Sequence, residues 1–250
     1  MEPDEHRRVA AVEDHHWWYV ATRQLLSDLA SRDAASPPGL VLDAGCGTGG
    51  MGAPFATSCQ VVGVDADADA LALARSRHAA VDLARGDVAA LPIRTGVADV
   101  VLCTNVLYTV AEPQAAMHEL ARGLAPGGTL IVVEPAFASL RRAHDRQVHG
   151  RRRFRRQDLE ALASDAGLRP LRSTYAFSYL FPAAAALALW DRVAGSRPPT
   201  SDVDRPGPGW LLGTLARSEL RWIRRRRVPL GTSVVMVATR LTDDRGPRAR

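Results

Sequence analysis

Lysine is absent from this 250-residue chain, so all 32 basic residues are arginine; against 27 acids they leave a formal net charge of +5. Arginine without lysine, beside many alanines, suggests a GC-rich bacterial genome. The basic balance is then no argument by itself for a nucleic-acid partner. Cysteine is scarce. Cys46, Cys59 and Cys103 show neither C-x-x-C nor Cys/His ligand spacing, which argues against a disulfide scaffold and a zinc site, and no metal is expected. The acidic start Met1-Glu2-Pro3-Asp4-Glu5 lacks the basic and apolar regions of a secretory signal, and a reducing cytoplasm is the expected location. Long apolar runs are missing too. The uncharged stretch from Ser173 to Trp190 is of borderline length for a bilayer, but Pro182, its hydroxyls and the strand its first residues must form argue against a membrane span. What is present is ordinary for a globular chain: 46% hydrophobic and 24% charged residues, enough length to bury one full core with additions.

The most informative stretch is Val41-Leu42-Asp43-Ala44-Gly45-Cys46-Gly47-Thr48-Gly49-Gly50. Val41 and Leu42 end a buried strand, and the alternating Gly45, Gly47 and Gly49 let the backbone turn sharply and approach a ligand closely. A helix beginning beyond them would aim free N–H groups into the same space. Gly45, Gly47 and Gly50 also satisfy G-x-G-x-x-G, the dinucleotide fingerprint, a weak signal alone. Asp43 discriminates. Its carboxylate would repel a diphosphate by roughly 4 kcal/mol at about 4 Å and an effective dielectric near 20, whereas a ligand carrying an ammonium and a sulfonium would gain from it. The run D-x-G-x-G-x-G resembles motif I of the class I S-adenosylmethionine (SAM)-dependent methyltransferases.

Strand and helix patterns then alternate, the mark of a parallel sheet covered on both faces. Val61–Asp65 reads as a second strand ending in an acid placed to accept from the ribose hydroxyls of an adenosine; Ala66 follows it into the site. Asp67 and Asp69 read as caps of the helix running to His78. After a short strand, Val81–Ala84, comes Arg85-Gly86-Asp87-Val88. Asp87 alone reads as a turn or cap residue; the resemblance implies that Asp87, with Val88, receives the adenine. A fourth strand, Ala98–Cys103, closes at Asn105, the only asparagine in the chain, at the carboxyl edge where open α/β folds bind ligands. Methyltransferases of nucleic-acid bases resemble one another in an Asn/Asp-Pro-Pro-Tyr/Phe run at this point. Here it is Asn105-Val106-Leu107-Tyr108, which counts against base methylation. Leu124-Ala125-Pro126-Gly127-Gly128 before the strand Thr129–Glu134 completes the resemblance over roughly Val41–Glu134.

The flanks carry the remaining candidates. Val9 to about Arg32 reads as one helix containing Glu13-Asp14-His15-His16-Trp17-Trp18-Tyr19 and then Arg23. Its tryptophans suit either a packing helix or a lid over the cofactor. The segment is similar to the tryptophan-rich N-terminal helix of a subset of bacterial class I methyltransferases, which implies the lid, with Arg23 on the carboxylate of SAM. His16 and Tyr19 are catalytic candidates within it. Beyond the fifth strand, His144 beside Asp145 is the candidate base or orienting group, or else part of a pair that fixes a loop. Arg151 to Arg156 suit an anionic substrate group or a solvated helix entry. The segment 177–231 reads as a helical insertion capping the acceptor pocket, with a Pro/Gly-rich loop at Ser196–Gly209 and an amphipathic helix over Trp210–Arg227. That helix suits either an interfacial element or one packed on the cap with a solvated basic end.

The expected architecture is a seven-stranded, doubly wound Rossmann-like α/β sheet. Residues 1–36 form a lid, 37–176 the SAM-binding core, 177–231 the cap, 232–242 the last strand and 243–250 a polar tail. Asp43, Gly45, Cys46, Gly47, Gly49, Asp65, Ala66, Asp87, Val88, Asn105 and Arg23 are the expected cofactor residues. The expected function is methyl transfer to a small or lipid-like acceptor, a secondary metabolite or envelope precursor. The alternative is a non-catalytic SAM-binding or membrane-surface module. No nucleic-acid partner is expected, while contact with a membrane surface is left open.

Overall fold

The computed structural model describes residues 3–34, 36–142, 145, 148–193 and 209–242. His144, residues 194–208 of the Pro/Gly-rich region and the 243–250 tail lie outside the described residues. Seven strands form one sheet: β1 (Leu40–Ala44), β2 (Gln60–Asp65), β3 (Asp82–Arg85), β4 (Ala98–Thr104), β5 (Leu124–Pro135), β6 (Leu168–Ala176) and β7 (Ser233–Arg240). Their order is β3-β2-β1-β4-β5-β7-β6. Strands β1 to β5 run parallel, as the alternating pattern requires. β7 lies between β5 and β6, antiparallel to both, so the sheet is mixed rather than wholly parallel. The reason is in the register. Ala176 pairs with Ser233, so the inserted segment leaves and re-enters at one end of the sheet, and the returning strand must run backwards.

The central strands are apolar on both faces, as strands covered on two sides are. On one face Leu42 and Leu130 meet Met117 and Leu120 of α4 (Pro113–Gly123) and Leu159 of α5 (Arg156–Asp165). On the other, Val41 and Ile131 meet Leu25, Leu26 and Leu29 of α2 (Trp17–Asp33) and Leu220 of a later helix. Between β2 and β3 runs α3 (Ala68–Arg77), whose N-cap Asp67 accepts from the backbone N–H of Asp69 and Ala70.

The N-terminal helix expected over Val9–Arg32 is two helices, α1 (Pro3–Val12) and α2 (Trp17–Asp33). The break spans Glu13 to His16. His16 is extended and caps α2, its ring Nδ1 accepting from the Trp18 N–H at 3.3 Å. Asp14, His15 and His16 favour helix weakly, and the break turns Glu13 inward.

The insertion carries α6 (Phe181–Val193) and α7 (Gly209–Ile223). α7 packs on α2 and β6. It stops short of the expected Arg227 because its last carbonyls have other partners: the guanidinium of Arg172 donates to Ile223 O and that of Arg32 to Arg224 O. Buried Val228 then ties the chain to β6 through its N–H, which donates to Thr174 Oγ1 at 2.8 Å. Among the described residues no helix is long and apolar enough to cross a membrane.

Candidate active site

The carboxyl ends of β1, β2 and β4 open into a crevice of about 870 Å³. Its floor is the glycine loop. Gly45 sits at φ +76° with Val106 packed where a side chain would be, so only glycine fits there. The loop is tied to the neighbouring strand by the N–H groups of Gly45 and Cys46, which donate to Val64 O at 2.7 and 3.0 Å. Asp65 holds its crest: Oδ2 accepts from Gly47 N at 2.8 Å and Oδ1 from Asp67 N at 2.9 Å. Each oxygen keeps further acceptor capacity, and Asp65 lines the crevice.

Asp43 lies behind the loop, 2% exposed, and accepts from the Gly52 N–H at 2.9 Å. Burial, aided by the charges of Asp65 and Glu13, lifts its carboxyl to about 7, against the opposing bond from Gly52. Asp87 lines the crevice while accepting from Ala89 N at 2.9 Å, so it is a turn residue that also faces the site. Cys46 lines it too, its buried thiol lying toward Gly63. Ala66, Val88 and Asn105 complete the set. Asn105 takes the left-handed conformation at φ 54°, which asparagine tolerates better than most residues.

Not every candidate reaches this space. Gly49, His16 and Arg23 are outside the lining; Arg23 donates to the Asp14 carbonyl at 3.3 Å. Tyr19 lines the crevice, and burial pushes its phenol well above the ordinary value, so at neutral pH it can donate a hydrogen bond but not act as a base. Asp145 faces Arg153 in a two-pronged ion pair at 2.7 and 3.0 Å. Arg152 donates to Val110 O and Ala111 O, and Arg156 lies over the Tyr175 ring at 5.4 Å. Arg152, Arg153 and Arg156 therefore brace loops, and neither the substrate reading nor the solvated one describes them. Arg151 does line the crevice, with Arg141 and His149. The described residues of the insertion do not line it; Phe177 and Tyr179 instead pack on α2, 5.8 and 6.3 Å from the Trp17 ring.

Two carboxylates escaped sequence reasoning. Glu13, 2% exposed, accepts from Thr48 Oγ1 at 2.7 Å and approaches Arg77 at 3.2 Å. It occupies the place of a side chain at Gly50 and so ties the break between α1 and α2 to the glycine loop. Burial raises its carboxyl above the usual range, against Thr48 and Arg77. Its place beside Asp14-His15-His16, a run that favours helix weakly, was the available signal. Glu13→Ala is expected to speed amide exchange across α1 by roughly ten- to a hundredfold, since a charge-assisted bond contributes roughly 1.5–3 kcal/mol; unchanged exchange would show that α1 is held elsewhere. Glu134 is wholly buried and accepts from the N–H groups of Val106, Leu107 and Tyr108 at 3.0, 2.8 and 3.2 Å. It thereby shapes the loop that follows Asn105.

Residues 42–132, β1 into β5, match the family described as "Methyltransferase domain". The stretch from β1 into β5 is thus similar to a methyltransferase domain. The chain is 34% identical over 163 residues to malonyl-[acyl-carrier protein] O-methyltransferase of Enterobacter lignolyticus, covering 62% of this chain and 63% of that protein. It is 34% identical over 111 residues to a demethylmenaquinone methyltransferase of Renibacterium salmoninarum, covering 43% and 47%. It thus spans less than two thirds of the length of either relative. The fold is similar to that of a SAM-dependent methyltransferase from Thermotoga maritima, with a TM-score of 0.62, 19% identity and 95% of each chain covered. The residues present suit SAM. A Cβ at Gly47 would meet nothing within 4 Å, so the loop crest is open, and the acids around it favour a cationic ligand.

Proposed function

We propose that this protein transfers a methyl group from SAM to a small or lipid-like acceptor bearing an anionic group. The observation that carries the reading is one continuous crevice with an acidic glycine cradle in its lining and Arg141 and Arg151 among its other walls. SAM, when bound, supplies an electrophilic methyl on a sulfonium. The chain's residues do the rest. Asp65 accepts from the ribose hydroxyls, Asp87 and Val88 receive the adenine, and Asp43 and Glu13 make the loop region favourable for positive charge. Trp18 and Tyr19 cover the crevice and exclude water, which strengthens each electrostatic contact inside. In-line displacement needs alignment above all, and the two arginines would orient an acceptor carboxylate or phosphate. Relatives named for malonyl-[acyl-carrier protein] and for demethylmenaquinone support a carboxylated or lipid-like acceptor.

Isothermal titration is expected to give saturable SAM binding, weakened at least about tenfold in Asp65→Ala, which removes charge-assisted bonds to ligand and loop together. Heat with NAD and none with SAM would overturn the reading. Transfer of labelled methyl to carboxylated amphiphiles, with a raised KM in Arg151→Ala, tests the acceptor end; equal transfer to uncharged analogues would remove the anionic requirement.

A further inference from the structure

α7 divides its surface into three sectors. Ala216, Leu220 and Ile223 are buried against the body of the protein. On one exposed flank Leu211, Leu215 and Trp222, at i, i+4 and i+11, are 40%, 39% and 62% exposed. On the other flank Arg217, Arg221 and Arg224, at i, i+4 and i+7, overlook a groove of about 410 Å³ between α2 and α7. Trp210, 77% exposed, stands at its end. Exposed Arg225, Arg226 and Arg227 continue the basic edge beyond the helix.

The nearby acids do not neutralise this edge. Glu219 turns inward and accepts from the backbone N–H of Phe177 and Ser178 at 2.6 and 2.8 Å. Asp28 pairs with Arg224 at 2.5 Å. Arg217, Arg221, Arg225, Arg226 and Arg227 have no acidic partner among the described residues.

We propose that α7 and its arginine turn form a docking face for an anionic lipid bilayer. An apolar flank bearing tryptophan and leucine beside a dense arginine edge is what a helix lying in the plane of a membrane surface requires. Leu211, Leu215 and Trp222 enter the headgroup boundary, and the arginines meet lipid phosphates. A second copy of the chain suits the face poorly, because a twofold contact would bring two arginine clusters together without an acid between them. A nucleic acid would satisfy the arginines but leave the apolar flank in water. The proposal does not depend on the acceptor reading, since the face is built from residues outside the crevice lining.

The test is sedimentation of the full chain with phosphatidylcholine vesicles and with vesicles in which about a third of the lipid is phosphatidylglycerol. Binding is expected only to the second and should fall with added salt. It should drop roughly twenty-fivefold in Arg221→Ala/Arg225→Ala, at about fivefold per arginine near the surface, and should also fall sharply in Leu215→Ser/Trp222→Ser. SAM titration of the same variants should be unchanged, which separates this face from the crevice. Equal pelleting with both vesicle types, indifference to both variants, or RNA binding without vesicle binding would overturn the proposal. So would a dimer in solution that Trp222→Ser dissociates.

Discussion

Replacing Glu134 with alanine is expected to lower the melting temperature by roughly 10 °C, because three buried N–H groups lose their acceptor and each unsatisfied donor costs about 1–3 kcal/mol. The three donors belong to consecutive residues, Val106, Leu107 and Tyr108, and converge on one wholly buried carboxylate. Among the described residues no other acceptor is bonded to them. A sum of about 3–5 kcal/mol is therefore reasonable, and in a chain of this size each kcal/mol shifts the melting point by about 2–4 °C. Glu134→Gln should cost about half as much. Its one carbonyl oxygen can still serve Val106 and Leu107, but its amide would face the Tyr108 N–H, donor against donor. Burial pushes Glu134 up to about 8 despite its three backbone bonds. Differential scanning calorimetry of both variants is the measurement, and an alanine variant within about 2 °C of the wild type would show that the loop does not rely on this side chain.

SAM affinity should depend on pH through Asp43. In the free protein burial raises this carboxyl to about 7, with Asp65 and Glu13 adding to the effect. A cation bound in the crevice stabilises the carboxylate and draws that value down, so binding below about pH 7 must release a proton. Relative to Asp43→Asn, which keeps the acceptor for Gly52 and cannot ionise, the wild type should bind SAM about tenfold more weakly at pH 6 than at pH 8. The variant also subtracts the titration of the ligand's own ammonium. Calorimetry in buffers of different ionisation enthalpy counts the proton directly; parallel behaviour of the two proteins would exclude Asp43 from cofactor binding. The stability linkage has a definite sign. A carboxyl raised in the folded state binds more protons there than in the unfolded chain between about pH 4 and its folded value. The stability that Asp43 contributes is thus full below about pH 4 and is lost as pH rises through about 7. A salt-bridged carboxylate would do the opposite.

Much of this protein was readable from residues close together in the chain. The glycine loop, the acids ending β1 and β2, the Pro126-Gly127-Gly128 turn and the order of the first five strands are local matters. Glycines at +76°, +54° and +85° and β-branched runs declare themselves over a few positions, because backbone sterics and side-chain alternation act at that range. For the same reason Asp43, Asp65 and Asp87 could be named as facing one crevice. Parallel strands of an α/β sheet bring their carboxyl ends to one edge whatever the rest of the chain does.

Contacts between distant segments settled the remainder. Glu13 meets Thr48 across 35 positions, a contact that no local pattern announces. Glu134 serves residues 26 to 28 positions before it, which no periodicity announces. Arg152 and Arg153 look like a solvated or ligand-binding run until Val110, Ala111 and Asp145 are folded beside them. β7 runs antiparallel because of where the inserted segment re-enters the sheet, and α7 leaves one flank outward because α2 and β6 take the other side. Local propensity acts within a turn of helix or a strand's length. A buried charge finds its partner, and a helix its face, only when the whole chain has closed around them.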